Sequence, residues 1–177
     1  MDTAHFKPRS DRPPASVADV SERGIPGSRL RVYLLPGQLY ASAEPCHITT
    51  ILGSCVAVCL YDATCMAGGM NHFLLPLSRG AEAESLRFAD HAVLFLLERM
   101  MAMGCRIDDL TAKIFGGAAL FQSKDRYRDS LGAKNVAAAV QLLENAGIPI
   151  IARETGGDRG RKVIFDTEEG TAWARRV

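Results

Sequence analysis

Cys55 stands directly after Gly53-Ser54, and His72 lies seventeen residues further on, closing the run Gly68-Gly69-Met70-Asn71-His72. A thiol becomes a nucleophile only when another group takes its proton, and an imidazole is suited to that near neutral pH. A third group must then orient the imidazole. Small residues before the thiol let a substrate approach the main chain, where successive N–H groups can face a developing oxyanion. The types and spacing point to Cys55 as nucleophile and His72 as base, with Gly53, Ser54 and Asn71 as oxyanion or positioning candidates. On the residues alone, a plainer reading also holds: a cysteine packed as a small hydrophobe and a histidine satisfied in the core.

The elements around this pair are legible. From Pro45 to Ser78, 34 residues, the one formally charged side chain is Asp62. Three β-type runs, His47 to Leu52, Cys55 to Tyr61 and Gly68 to Leu75, are broken by glycines and by Asp62, which supplies a turn between strands. Leu30, Val32 and Leu34 alternate with Arg31 and Tyr33 as a half-buried strand, and Pro36-Gly37 turns the chain. Leu86, Ala89, Val93, Leu97 and Met100 recur at helical spacing, with Gly104 placed to stop the helix. Val136, Ala139, Val140 and Leu143 give a second helix that Gly147 ends before Pro149. Ala112 to Phe115, Ile148 to Arg153, Lys162 to Asp166 and Thr171 to Arg175 complete about eight strands. The mixture predicts an α/β or α+β layered domain over residues 29–177. Residues 1–28 hold four of the eight prolines and few large apolar residues, and read as a disordered arm.

Composition narrows the function. The 177 residues are 47% hydrophobic and 23% charged, with a net charge of +1. That is enough apolar material for a core and too little charge for a global pull on nucleic acid or an acidic membrane. The longest apolar run falls far short of a membrane span, and no apolar segment near Met1 marks a secretory signal. Five cysteines, an odd number, fit a reducing, cytoplasmic setting without a disulfide framework. Cys46, His47, Cys55, Cys59, Cys65 and His72 are ligand types, but no C-x2-C pair occurs among them, so no metal is expected. In one strand Cys55 and Cys59 would lie about 13 Å apart, too far for a disulfide. Gly116-Gly117 lacks the Lys-Ser/Thr of a phosphate loop, so no nucleotide cofactor is expected. Arg159, Arg161 and Lys162 read as a solvated loop, ahead of a docking patch. Met100, Met101 and Met103 read as helix-end packing.

The thiol motif, with Gly-Ser before the cysteine and GGMNHFLLP after it, resembles the CheD family of chemoreceptor glutamine deamidases. KIFGGAALF (113–121), GAKNVAAAVQLL (132–143) and GGDRGRKVIFDTEEG (156–170) agree, so the resemblance covers about residues 30–176. It implies a Cys–His–Thr triad at Cys55, His72 and Thr49. It also implies layered β-sheets flanked by helices, similar to the cytotoxic necrotizing factor-type cysteine deamidase fold. Thr50 is the neighbour most easily mistaken for Thr49; in an extended strand the two face opposite ways, so only one can meet His72. By the same alternation Asn71 should point off the His72 face.

The resemblance implies a cytoplasmic bacterial enzyme that turns particular glutamines of methyl-accepting chemotaxis receptors into glutamates and releases ammonia. Its substrates would be helical receptor segments, met in an open groove. A glutamyl methyl ester could enter the same acyl-enzyme route. The competing reading is a non-catalytic module that binds a CheC-type phosphatase, and a weaker one is a cysteine peptidase. Nucleic acid and direct membrane insertion are not expected.

Overall fold

The computed structural model describes residues 29–78, 85–119 and 130–177. The arm expected over 1–28 lies outside the described residues. Nine strands and two α-helices are formed among them. Strands β1 (Leu30–Tyr33), β3 (Cys46–Leu52), β8 (Arg161–Asp166) and β9 (Ala172–Arg176) make one sheet in the order β1-β3-β8-β9. Strands β2 (Gln38–Ser42), β5 (Ala67–His72), β4 (Val56–Asp62), β6 (Leu110–Gly116) and β7 (Ile150–Thr155) make the other, in that order.

Burial sorts these into three layers. Along β4, Val56, Val58 and Leu60 join a core with helix α1 (Ala89–Ala102) and helix α2 (Leu131–Asn145). The alternate residues, Ala57 and Cys59, join a second core with Ile48, Leu52, Val163 and Phe165 of the other sheet. A strand's period of two makes this division: one face of β4 meets helices and the other meets a sheet. The continuous apolar run at β4 is that of a strand covered on both sides. Both described helices lie on the same side, so among the described residues the sheets are flanked by helices on one side, where the family resemblance implied helices around the layered sheets. Among the described residues, the outer face of the four-stranded sheet has no helix on it.

The layers approach closely at β5 because two of its positions lack side chains. A Cβ on Gly68 would come within 2.9 Å of the Phe165 ring, and one on Gly69 within 2.8 Å of a Leu96 methyl. Strand β2 is the element the sequence reading omitted. It is an edge strand with only Leu39 fully buried, so its apolar alternation is weak. Helix α1 begins at Ala89 rather than Leu86, since Phe88 is still extended at the N-cap. Gly147 does end α2, at φ +72°.

Candidate functional site

Cys55 occupies the step between β3 and β4, and three consecutive carbonyls fix that step. The Gly53 carbonyl accepts from the Ala118 N–H at 2.8 Å, and that of Cys55 from the Gly117 N–H at 2.8 Å. The Ser54 carbonyl accepts from the Asn135 side-chain amide at 3.0 Å. Gly116 must lack a side chain here: its φ is +109°, and a Cβ would sit 2.2 Å from the Cys55 carbonyl oxygen.

Register puts Cys55 on the same sheet face as His72, one diagonal step away. Cys59 pairs with Met70 in the β4–β5 ladder, and at the same offset Val56 pairs with Phe73 through both of its main-chain bonds, 3.1 and 3.0 Å. Ala57 is therefore opposite His72, and Cys55 is its diagonal neighbour on the same face. Diagonal positions lie about 7–8 Å apart between backbones, and no hydrogen bond joins the Cys55 thiol to His72 Nε2 among the described residues. Both side chains face the layer between the sheets, where Cys55 packs on the edge of the core and is half-buried. Asn71 points elsewhere, as expected from alternation. Its side-chain oxygen accepts from the Val58 N–H at 2.9 Å, taking the place of a ladder bond.

The expected contact of Thr49 with His72 is not made. His72 Nδ1 lies 2.8 Å from the hydroxyl of Thr50, not of Thr49. In β3 the even-numbered residues Cys46, Ile48, Thr50 and Leu52 are buried, whereas His47, Thr49 and Ile51 face outward. Thr49 instead lines a depression of about 650 Å³ on the outer face of the four-stranded sheet, with Arg31, Tyr33, His47, Lys162 and Trp173. Alternation along β3 allows only one of the two threonines to meet His72, and the packing of the strand's partners sets which one.

Hydrogen bonding fixes the imidazole's tautomer. The Thr50 hydroxyl has one hydrogen, and it donates that hydrogen to the Leu34 carbonyl at 2.8 Å. Toward His72 the same oxygen must accept, so Nδ1 carries the proton and Nε2 carries the lone pair. His72 is only 2% exposed, and its Nε2 has no hydrogen-bond partner among the described residues. Burial pushes the His72 pKa down to about 4, opposed by the Leu34 carbonyl. Burial also raises the Cys55 thiol above its usual value, opposed by the residue's own N–H, which is directed at the sulfur. At neutral pH both groups are uncharged in the resting protein.

Two further residues brace the site, and neither was singled out for this. Asn135, fully buried on α2, donates to the carbonyls of Ser54 and of Leu74, at 3.0 and 2.8 Å. One amide thus ties the chain just before Cys55 to the chain just after His72. The signal was present, since Asn135, Ala139 and Leu143 fall on one helical face and only the first is polar. Arg161, read as part of a solvated loop, is 4% exposed. Its guanidinium donates to the carbonyls of Gly116 and Gly156, pinning the turn that supports Cys55. Alternation in β8 puts Arg161 on the inner face with Val163 and Phe165.

These features bring a thiol and an imidazole to one face of a sheet in an α-β-β sandwich. A family model described as CheD chemotactic sensory transduction matches residues 74–176. A probable chemoreceptor glutamine deamidase of Anaeromyxobacter dehalogenans is 48% identical over 151 residues, 85% of this chain and 87% of that protein. One of Rhodospirillum rubrum is 47% identical over 145 residues, 82% of this chain and 81% of that protein. The chain belongs to the CheD family. Among solved structures, a Bacillus licheniformis protein titled hypothetical protein YfiH aligns with 68% of this chain and 51% of its own. Its TM-score is 0.43 at 17% identity. No described helix is long and apolar enough to cross a membrane.

Proposed function

We propose that this protein deamidates glutamine side chains of chemoreceptors through a thioester on Cys55. The observation that carries the reading is the bare, buried Nε2 of His72, on the same sheet face as the thiol and with its other nitrogen committed to Thr50. The Cys55 proton passes to Nε2 as the sulfur attacks the amide carbon of a bound glutamine. Charge developing on the amide oxygen is met by main-chain N–H groups of the Gly53-Ser54-Cys55 step, whose peptide planes are already fixed. The imidazolium returns its proton to the amide nitrogen, ammonia leaves, and a thioester remains. Water then gives a proton to Nε2 and attacks the thioester; glutamate departs and the sulfur regains its hydrogen.

Thr50 takes the positioning role that the family resemblance gave to Thr49. Being neutral, it orients the ring without adding a compensating charge, which suits a histidine that rests uncharged. Receptor segments of the cytoplasm are the substrates, and a CheC-type phosphatase is a second partner. The two stacked sheets and the Cys–His pair also support kinship with the cytotoxic necrotizing factor-type deamidases. Mass spectrometry of receptor cytoplasmic fragments, after incubation with wild type or Cys55→Ala, tests the proposal. Amide-to-acid conversion at discrete glutamines and ammonia release are expected with wild type alone. Tight phosphatase binding without ammonia would replace deamidation by a binding role, and backbone cleavage would indicate a peptidase.

A further inference from the structure

At the end of β4 away from Cys55, three ligand types converge. A carboxylate oxygen of Asp62 and the sulfurs of Cys65 and Cys105 all lie within 4.8 Å of one another. Seven residues of extended chain separate this cluster from Cys55, roughly 23 Å, so it is not part of the thiol–imidazole site. Asp62 closes β4, and its Oδ1 accepts from the N–H groups of Thr64 and Cys65, at 2.8 and 3.1 Å. That turn places the Cys65 sulfur beside the carboxylate. Cys105 follows α1, where its own N–H is tied to the Met100 carbonyl at 3.2 Å. All three groups are therefore fixed by main-chain bonds.

The second oxygen of Asp62 makes this more than a coincidence of residue types. Asp62 is 0% exposed, and Oδ2 has no hydrogen-bond partner among the described residues. The Arg106 N–H and the Cys65 thiol help to hold the Asp62 carboxyl below its ordinary value against the effect of burial. A buried carboxylate oxygen costs free energy unless a cation or donor meets it, and thiols are weak donors. Two sulfurs and one carboxylate oxygen are a donor set for a borderline-soft cation with no geometric preference of its own. Cys65 is only half-buried, which gives an ion access and leaves room for solvent as fourth ligand.

We propose that Asp62, Cys65 and Cys105 bind a divalent cation of the zinc class as a structural clip between the β4–β5 turn and the end of α1. Binding replaces the two thiol protons by one metal ion and releases those protons to solvent. The linear spacing could not reveal it, because Cys65 and Cys105 are forty residues apart and meet only through the fold.

The test uses full-length, reduced Cys55→Ala protein, so that the thiol of the other site cannot bind metal. Cobalt(II) titration should saturate at one equivalent with a sulfur-to-cobalt absorption band, and zinc should displace it while raising the thermal midpoint. Cys65→Ser, at a half-buried turn position, should keep the far-UV circular dichroism and lose the band. Asp62→Asn and Cys105→Ser should weaken binding further, and Cys65→Ser alone suffices if either misfolds. The proposal is overturned if cobalt does not bind, if Cys65→Ser retains the band, or if these sulfurs form a disulfide and take up no metal once reduced.

Discussion

At the scale of single residues, the site is decided by where one hydrogen goes. Because Thr50 gives its proton to the Leu34 carbonyl, His72 is held as the Nδ1–H tautomer with its basic nitrogen buried and unpartnered among the described residues. In the proposed reaction the ring becomes charged, and the bond from Nδ1 to Thr50 is then charge-assisted. Such a bond contributes about 1.5–3 kcal/mol, so Thr50→Val should lower kcat roughly 10–100-fold. Thr49→Val, on the outer face, should change kcat by no more than about twofold. Steady-state ammonia release from both variants checks this, and the reverse order would restore Thr49 to the role. The pH profile follows from the same geometry. With His72 down to about 4 and Cys55 above its ordinary value, kcat/KM should be flat from about pH 5.5 to 8. An acid limb near pH 6.5 would show that the imidazole is solvated instead. That Cys55 and His72 share a sheet face was legible from their spacing, a strand, a turn and an adjacent strand. Thr50 was not, because adjacent threonines differ only in the phase of the strand, which its partners fix.

At the scale of elements, α2 does more than cover a sheet. Its Gly132 packs on the Gly116-Gly117 turn so closely that a Cβ there would lie 2.4 Å from the Gly117 carbonyl oxygen. That contact brings Asn135 over the ends of β4 and β5. Asn135→Leu keeps the branched heavy-atom skeleton but leaves the Ser54 and Leu74 carbonyls buried without their donor, at about 1–3 kcal/mol each. Urea unfolding should show that loss. If Asn135 positions the thiol, kcat should also fall with little change in KM, whereas a purely structural role would leave the turnover of the folded fraction intact. The helices were legible from period alone, with boundaries shifted by a few residues. Edge strand β2 was not, because Gln38 to Ser42 buries one residue fully and owes its place to hydrogen bonds with β5. Arg161 shows a different limit: its charge argued for solvent, while alternation with Val163 and Phe165 argued for burial, and two carbonyl acceptors let alternation prevail.

At the scale of the whole molecule, the site lies in the layer that joins the two sheets, so its ionisation is coupled to folding. The folded His72 binds a proton only near pH 4, while an unfolded histidine binds one near 6.5. Between those values the unfolded chain holds the extra proton, so stability falls as pH falls across the window and is fully present above it. At about 1.4 kcal/mol per pH unit, the loss is on the order of 3 kcal/mol by pH 4, a sizeable share of a typical domain's 5–15 kcal/mol. Burial alone would raise the carboxyls of Asp62, Asp90 and Asp166, but hydrogen-bond donors outweigh it and hold all three below 3.8. Their stabilisation is lost only at lower pH, outside the histidine window. Urea unfolding of wild type and His72→Gln at intervals from pH 7 to 4 separates the two effects. Wild type should lose about 1.4 kcal/mol more per pH unit below 6.5 than the variant, and parallel curves would mean that the folded protein already carries a charged imidazole between its sheets.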